Sequence, residues 1–200
     1  GGIYDPENIF YLGDYLQFDG FSYRLVPIKT PESEDGEMGR VDGDDLYKVV
    51  KNFRWGNFRD KNVHFDEAAT SNIVSYRSAA SRAAEALVLK GKRAQAVELL
   101  DLASKEIPVD KYNDPRSLSH MVYGYIVSGQ EQKGLKLAEE LKKGIFTEYD
   151  YYTSLDPQEQ KYLGKQMRVK PFEYSLIVSA VSDAYKKIGQ NQKGYDYLVK

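Results

Sequence analysis

The sequence predicts a mostly α protein, an α-α superhelical array of helical hairpins behind a small N-terminal segment that contains β structure. Three observations carry this. The hexapeptide GQEQKG at 129–134 returns as GQNQKG at 189–194, with a single letter changed. Gly91 sits in the same way between two stretches of helical periodicity. The first third of the chain is aromatic and β-branched, punctuated by Gly13 and Gly20.

In chain order, residues 8–29 (NIFYLGDYLQFDGFSYRLVPIK) read as one or two short strands. The clearer lies at 21–27, with Pro27 marking an edge or an end. Residues 30–45 are polar and glycine-rich, hence loop. A short helix is expected over 44–53 with Asp44 near its start, then a turn-rich bridge over 54–68 holding the only tryptophan, Trp55. From 71 to 90, Ile73, Tyr76, Ala80, Ala83, Ala84 and Leu87 recur at helical spacing until Gly91. Ala96, Leu99, Leu100 and Ala103 form one stripe of the next helix, which Pro108 closes.

The second unit is 115–129 followed by 130–143. Asp114 suits its cap, and Pro115 its first position, where no N–H bond is lost. The third unit is expected to start at Pro171 and run to Gly189, with a last helix after it. Residues 141–170 read as an insertion in which Asp156, Pro157 and Glu159 form a capping box that starts a further helix. The duplicated hexapeptides are therefore expected to be hairpin joints, each Gly adopting the left-handed conformation that ends a helix. The chain divides into an N-terminal segment, 1–68, packed on a helical-repeat domain, 69–200.

The hairpins resemble tetratricopeptide repeats. With Gly91 at the joint, Ala84 stands at the small position of the first helix, and Ala96, Leu100, Ala103 and Pro108 at the family's positions in the second. The second unit departs from the pattern with Val122 at the small position, then has Tyr125, Gly134, Ala138 and Leu141. The third has Ser182, Tyr185 and Gly194. The resemblance implies a concave face lined by the first helices.

A second resemblance covers most of 8–160. DGFSYRLVPIK (19–29), LYKVVKNFRWGN (46–57), the helical run from Arg77 and YDYYTSLDP (149–157) occur in that order. The set is similar to the soluble C-terminal region of a bacterial multi-pass membrane family of unknown function, related to transmembrane protein O-mannosyltransferases. That implies an extracytoplasmic, periplasmic-side module tethered through upstream spans, with any glycosyl transfer in the membrane part; the alternative location is cytoplasmic. The chain opens with Gly1 and Gly2 rather than Met, which is expected of a piece whose natural start lies upstream.

Composition excludes several classes. With 28 basic and 30 acidic residues the formal charge is −2, which gives no chain-wide attraction to nucleic acid or anionic lipid. No cysteine is present, so disulfide frameworks and thiolate metal sites are excluded. No apolar run approaches the roughly 20 residues of a membrane span. His64 and His120 lack ligand spacing, the glycine runs form no phosphate loop, and no nucleophile elbow occurs. No catalytic residue, metal ligand or cofactor is assigned.

Binding positions are assigned by helical register. Ser78, Ser81, Glu85 and Val88 belong to the concave face in the first unit, Arg116, Ser119, Tyr123 and Ile126 in the second, and Leu176, Ser179, Asp183 and Lys186 in the third. Of these, Ser81, Glu85, Arg116, Ser119, Tyr123, Asp183 and Lys186 are the principal candidates. Small polar side chains, one tyrosine and balanced charge suit a peptide or protein strand. A separate aromatic platform is considered at Trp55, Tyr151 and Tyr152, suited to a glycan or to the parent's own membrane body, although a sole tryptophan is more often a core anchor. The function expected is a non-catalytic extracytoplasmic helical-repeat domain in protein or glycan interaction. The alternative is an independent peptide-binding scaffold.

Overall fold

The computed structural model describes residues 10, 12–29 and 38–199. Among these the chain is mostly helical, with one small antiparallel sheet. A 3-10 turn, Gly13–Tyr15, leads into β1 (Leu16–Phe18), which pairs with β2 (Tyr23–Leu25) in the register Leu16–Leu25, Gln17–Arg24 and Phe18–Tyr23. Arg40 closes on the sheet as an isolated parallel bridge to Gln17. Within the expected loop over 30–45, residues 30–37 lie outside those described.

Helix α1 (Gly43–Lys51) is capped by Asp42, whose carboxylate accepts from the Asp44 and Asp45 amides at 3.0 and 3.2 Å. The cap therefore stands two residues before the expected Asp44. Asp44 sits in the first turn instead, paired with Lys90 and Lys92 on the neighbouring hairpin.

Six further helices form three hairpins, α2 (Glu67–Leu89) with α3 (Arg93–Glu106), α4 (Pro115–Val127) with α5 (Glu131–Ser154), and α6 (Pro157–Lys187) with α7 (Asn191–Leu198). Each hairpin packs on itself, α2 lies against α4, and α4 against both α5 and α6. Asp114 caps α4 as expected, accepting from the Ser117 amide at 2.7 Å, with Pro115 in the first turn. The capping box at Asp156 and Glu159 starts α6.

Two expectations about the third unit are corrected. Its first helix does not begin at Pro171. It begins at Pro157 and runs 31 residues straight through that proline. A proline inside a helix forfeits one backbone hydrogen bond and costs about 3 kcal/mol, but Pro171 lies on an exposed side. Capping and packing on α5 hold the helix across it. Nor is 141–170 an independent inserted element. It is absorbed as the last turns of α5 and the first turns of α6, which pack on each other and are tied by Lys170 to Glu148 and Phe146 to Tyr174.

The three joints are copies. Gly91, Gly129 and Gly189 have φ of +74°, +92° and +76°. In each, the glycine N–H donates three residues back and the next N–H donates five residues back, as from Gln130 to the Tyr125 carbonyl and from Gln190 to the Tyr185 carbonyl, both 2.8 Å. This satisfies the carbonyls that the helix end would otherwise leave bare.

The rest of the hexapeptide is used as well. Lys133 binds Asp101 at 2.8 Å, and the Tyr125 hydroxyl donates to the same carboxylate at 3.0 Å. One unit later, Lys193 and the Tyr185 hydroxyl converge on Glu131 at 3.2 and 2.7 Å. The second glycine of each copy is a point of close approach. A Cβ on Gly134 would lie 3.0 Å from the Val122 carbonyl and 2.6 Å from Ile126 Cγ1, and one on Gly194 would lie 2.9 Å from the Ser182 carbonyl. The departure at Val122 is thus matched across the contact. Where the first unit places Ala84 and Ala96, the second places Val122 and Gly134, and all four are buried.

One core cluster runs through the molecule, from Leu46 and Val50 of α1 through Leu87, Leu100 and Met121 to Ile177 and Val181 of α6. Burying such side chains stabilises by about 1.5–3 kcal/mol each. Arg77 is fully buried within the fold and donates to Ser117 Oγ at 2.9 Å and to the Ile107 and Tyr112 carbonyls at 3.0 Å. It ties α2 to the α3–α4 connection. Burial lowers its pKa to about 10, with Asp114 opposing, so it is charged at neutral pH. Arg82 binds the N-terminal segment, donating to the Met38 and Gly39 carbonyls and lying 4.3 Å over the Phe18 ring.

Candidate functional site

Because α2, α4 and α6 lie side by side, their outward stripes converge on a groove of about 890 Å³. Side chains three and four positions apart share a helix face, so each helix contributes a row. Glu85, Val88 and Leu89 come from α2; Arg116, Ser119, His120, Tyr123 and Val127 from α4; Leu176, Ser179, Ala180, Asp183, Lys186 and Lys187 from α6. Among the described residues, no other element lines it.

Six of the seven principal candidates meet in this groove: Glu85, Arg116, Ser119, Tyr123, Asp183 and Lys186. Ser81 does not reach it. It lies one turn before Glu85 on the same face of α2 but is fully buried, and its hydroxyl has no hydrogen-bond partner among the described residues. Ser78 is half-buried and outside the lining, and Ile126, 1% exposed, packs toward Gly134 instead. Register reasoning passed over His120 and Val127. Both were findable, since His120 lies four residues after Arg116 and Val127 four after Tyr123, the spacing that keeps side chains on one face.

The groove is amphipathic. Val88, Leu89, Val127, Leu176 and Ala180 give it apolar surface, and Leu89 is 73% exposed. His120 Nδ1 lies 3.9 Å from Glu85 Oε1, and Lys186 binds Asp183 at 3.0 Å. Ser119 Oγ donates to the Arg116 carbonyl at 2.7 Å, so its hydroxyl serves its own helix. Both signs of charge are thus present beside apolar surface.

The three aromatic candidates fall in two places. Trp55 is 9% exposed and packs against Phe53 and Tyr76, with ring centroids 5.5 and 5.7 Å away. Phe21 of the β hairpin joins the same cluster, 4.1 Å from Tyr76. Tyr151 and Tyr152 are near the end of α5, 5.6 Å apart, with Tyr151 58% exposed. None of the three lines the groove.

The tyrosine–carboxylate contacts behind the groove have electrostatic consequences. Burial, with the Asp101 charge and hydrogen bond, pushes the Tyr125 hydroxyl well above the ordinary phenol value. Burial and Glu131 do the same to Tyr185. In return, the hydrogen bond from Tyr185, and then Lys193, hold Glu131 below the usual carboxylate value. These contacts tie neighbouring hairpins together, α4 to α3 and α6 to α5.

Residues 2–45 match the family model described as TMEM260-associated domain 2, which links the N-terminal segment to the TMEM260 family. The match ends within the first turn of α1 and does not extend over the hairpins. No curated protein and no solved structure matches the chain. No helix among the described residues is long and apolar enough to cross a membrane.

Proposed function

We propose that this chain is a non-catalytic helical-repeat domain, a tetratricopeptide-like superhelical array, whose groove holds an extended segment of a protein partner. The observation that carries this reading is the groove itself, built from the first helix of every hairpin and, among the described residues, lined by no other element. Three helices side by side present rows of side chains that an extended peptide crosses in turn, so alternate peptide residues meet different rows. The apolar surface of Leu89, Val127 and Leu176 takes side chains, while Arg116, Lys186, Glu85 and Asp183 meet charges of either sign. Balanced charge favours a mixed-sequence peptide over a polyanion.

The domain acts, in this reading, on the extracytoplasmic side of a larger membrane protein related to glycosyltransferases, and its partner is another protein or that protein's own membrane body. The match of 2–45 and the ordered resemblance over 8–160 support that context. Sugar transfer, where it occurs, belongs to the membrane part. The test is selection of binding peptides from a random display library, followed by titration against the wild type and the double variant Tyr123→Ala, Arg116→Glu. The reading expects micromolar-class peptides whose affinity drops at least tenfold in the variant. Peptides that bind both proteins equally overturn it.

A further inference from the structure

The first half of α6 carries a second exposed stretch, on the same helical stripe as its groove-lining residues and ending one turn before Leu176. Helical rotation of 3.6 residues per turn gathers Arg168, Lys161, Phe172, Lys165, Gln158, Val169 and Tyr162 within an arc of about 120°. Within 157–172 no aspartate or glutamate falls in that arc. Every one of the seven is exposed, Tyr162 at 76%, Phe172 at 53% and Val169 at 40%. The opposite side of the helix does the packing, with Leu163, Met167 and Tyr174 half-buried and Lys170 paired with Glu148 and Glu173.

Several lysines of the molecule are held within the fold, and the cations of this face are not. Lys51, Lys90, Lys92, Lys133, Lys142 and Lys193 are each held by a carboxylate. Among the described residues, Lys161, Lys165 and Arg168 make no ion pair. Three positive charges without an ion pair, interleaved with a tyrosine, a phenylalanine and a valine on an exposed helix face, match the chemistry of a bilayer surface. The flexible stems of Lys and Arg lie along the apolar layer while their heads reach anionic headgroups. Tyr favours that boundary, and a basic amphipathic face lies in its plane. A protein partner would more readily recognise the groove. The near-neutral charge of the whole chain conceals the patch, because its acids lie elsewhere.

We propose that the exposed face of α6 at Lys161, Tyr162, Lys165, Arg168, Val169 and Phe172 docks on an anionic lipid bilayer and holds the domain against the membrane. The experiment is co-sedimentation of the chain with vesicles of phosphatidylcholine plus phosphatidylserine, against vesicles of phosphatidylcholine alone, at two salt concentrations. The expected result is binding to the anionic vesicles only, weakened by salt. Each Lys or Arg contributes about fivefold near such a surface, so Lys161→Gln, Lys165→Gln, Arg168→Gln together should weaken binding by roughly a hundredfold. Tyr162→Ala with Phe172→Ala should weaken it with the salt dependence kept. All five side chains are exposed, and circular dichroism confirms that the variants fold. The groove variant Tyr123→Ala, Arg116→Glu should bind vesicles as the wild type does, which separates this inference from the peptide reading. Equal binding to both vesicle types, or no effect of the triple variant, overturns the proposal. Binding to soluble polyglutamate but not to anionic vesicles also overturns it, in favour of an acidic protein partner.

Discussion

The Tyr125 hydroxyl donates to Asp101 across the first hairpin interface, and Tyr185 donates to Glu131 across the second, with Lys133 and Lys193 closing the two contacts in the same way. The second contact makes stability depend on acid. Glu131 is held below its ordinary value by Tyr185 and then by Lys193. A carboxylate depressed in the folded state adds stability above its unfolded pKa, about 4.3, and loses it as pH falls through the folded value. Tyr185→Phe removes the larger of the two causes. Urea denaturation from about pH 7 down to about pH 3 should show the wild type losing more stability on acidification than the variant.

Two helix-interior glycines should respond oppositely to alanine. At Gly134 a Cβ meets the Val122 carbonyl and Ile126 at overlapping distances, whereas at Gly164 nothing lies within 4 Å. Overpacking costs about 1–3 kcal/mol, partly offset by the roughly 0.8–1.0 kcal/mol that alanine gains in a helix. Gly134→Ala should therefore destabilise by about 1 kcal/mol, and Gly164→Ala should stabilise by about 0.5–1 kcal/mol. Midpoints of chemical denaturation read both signs.

Arg77 should be the most costly polar residue to remove. Its guanidinium satisfies two buried carbonyls and Ser117. In Arg77→Leu those acceptors remain buried without a donor, at about 1–3 kcal/mol each. A loss of at least 3 kcal/mol is expected, measured by denaturation. Arg82→Leu should cost less and act locally. Its hydrogen bonds go to Met38 and Gly39, so faster amide exchange at Arg40 and along β1 is the expected signature.

Much of the helical part was legible because its signals are local. Positive-φ glycines, the Asp114 cap and the Asp156 capping box act over four to six residues, and each appears where the pattern put it. What failed was non-local. Pro171 is a local stop signal overridden by packing on α5, and the supposed insertion became continuous helix because both of its ends could extend an existing one. Six principal groove candidates followed from helical register together with the repeat resemblance, which implied that the first helices line the concave face. Ser81 shares that register with Glu85 but is buried, and burial by neighbouring elements is not written in the spacing. The clamp at Asp101 and Glu131 was out of reach too, because nothing in the repeated lysine names its partner 32 or 62 residues away.

The central claim is that the groove between α2, α4 and α6 is where this domain meets its partner. The most direct measurement is an amide chemical-shift map of the chain titrated with a peptide selected for binding. The account predicts that the largest shifts fall on residues around Glu85, Arg116, His120, Tyr123 and Asp183, and that they vanish in the Tyr123→Ala, Arg116→Glu variant. Shifts confined to the β1–β2 hairpin, or to the α5–α6 tip around Tyr151, would contradict it.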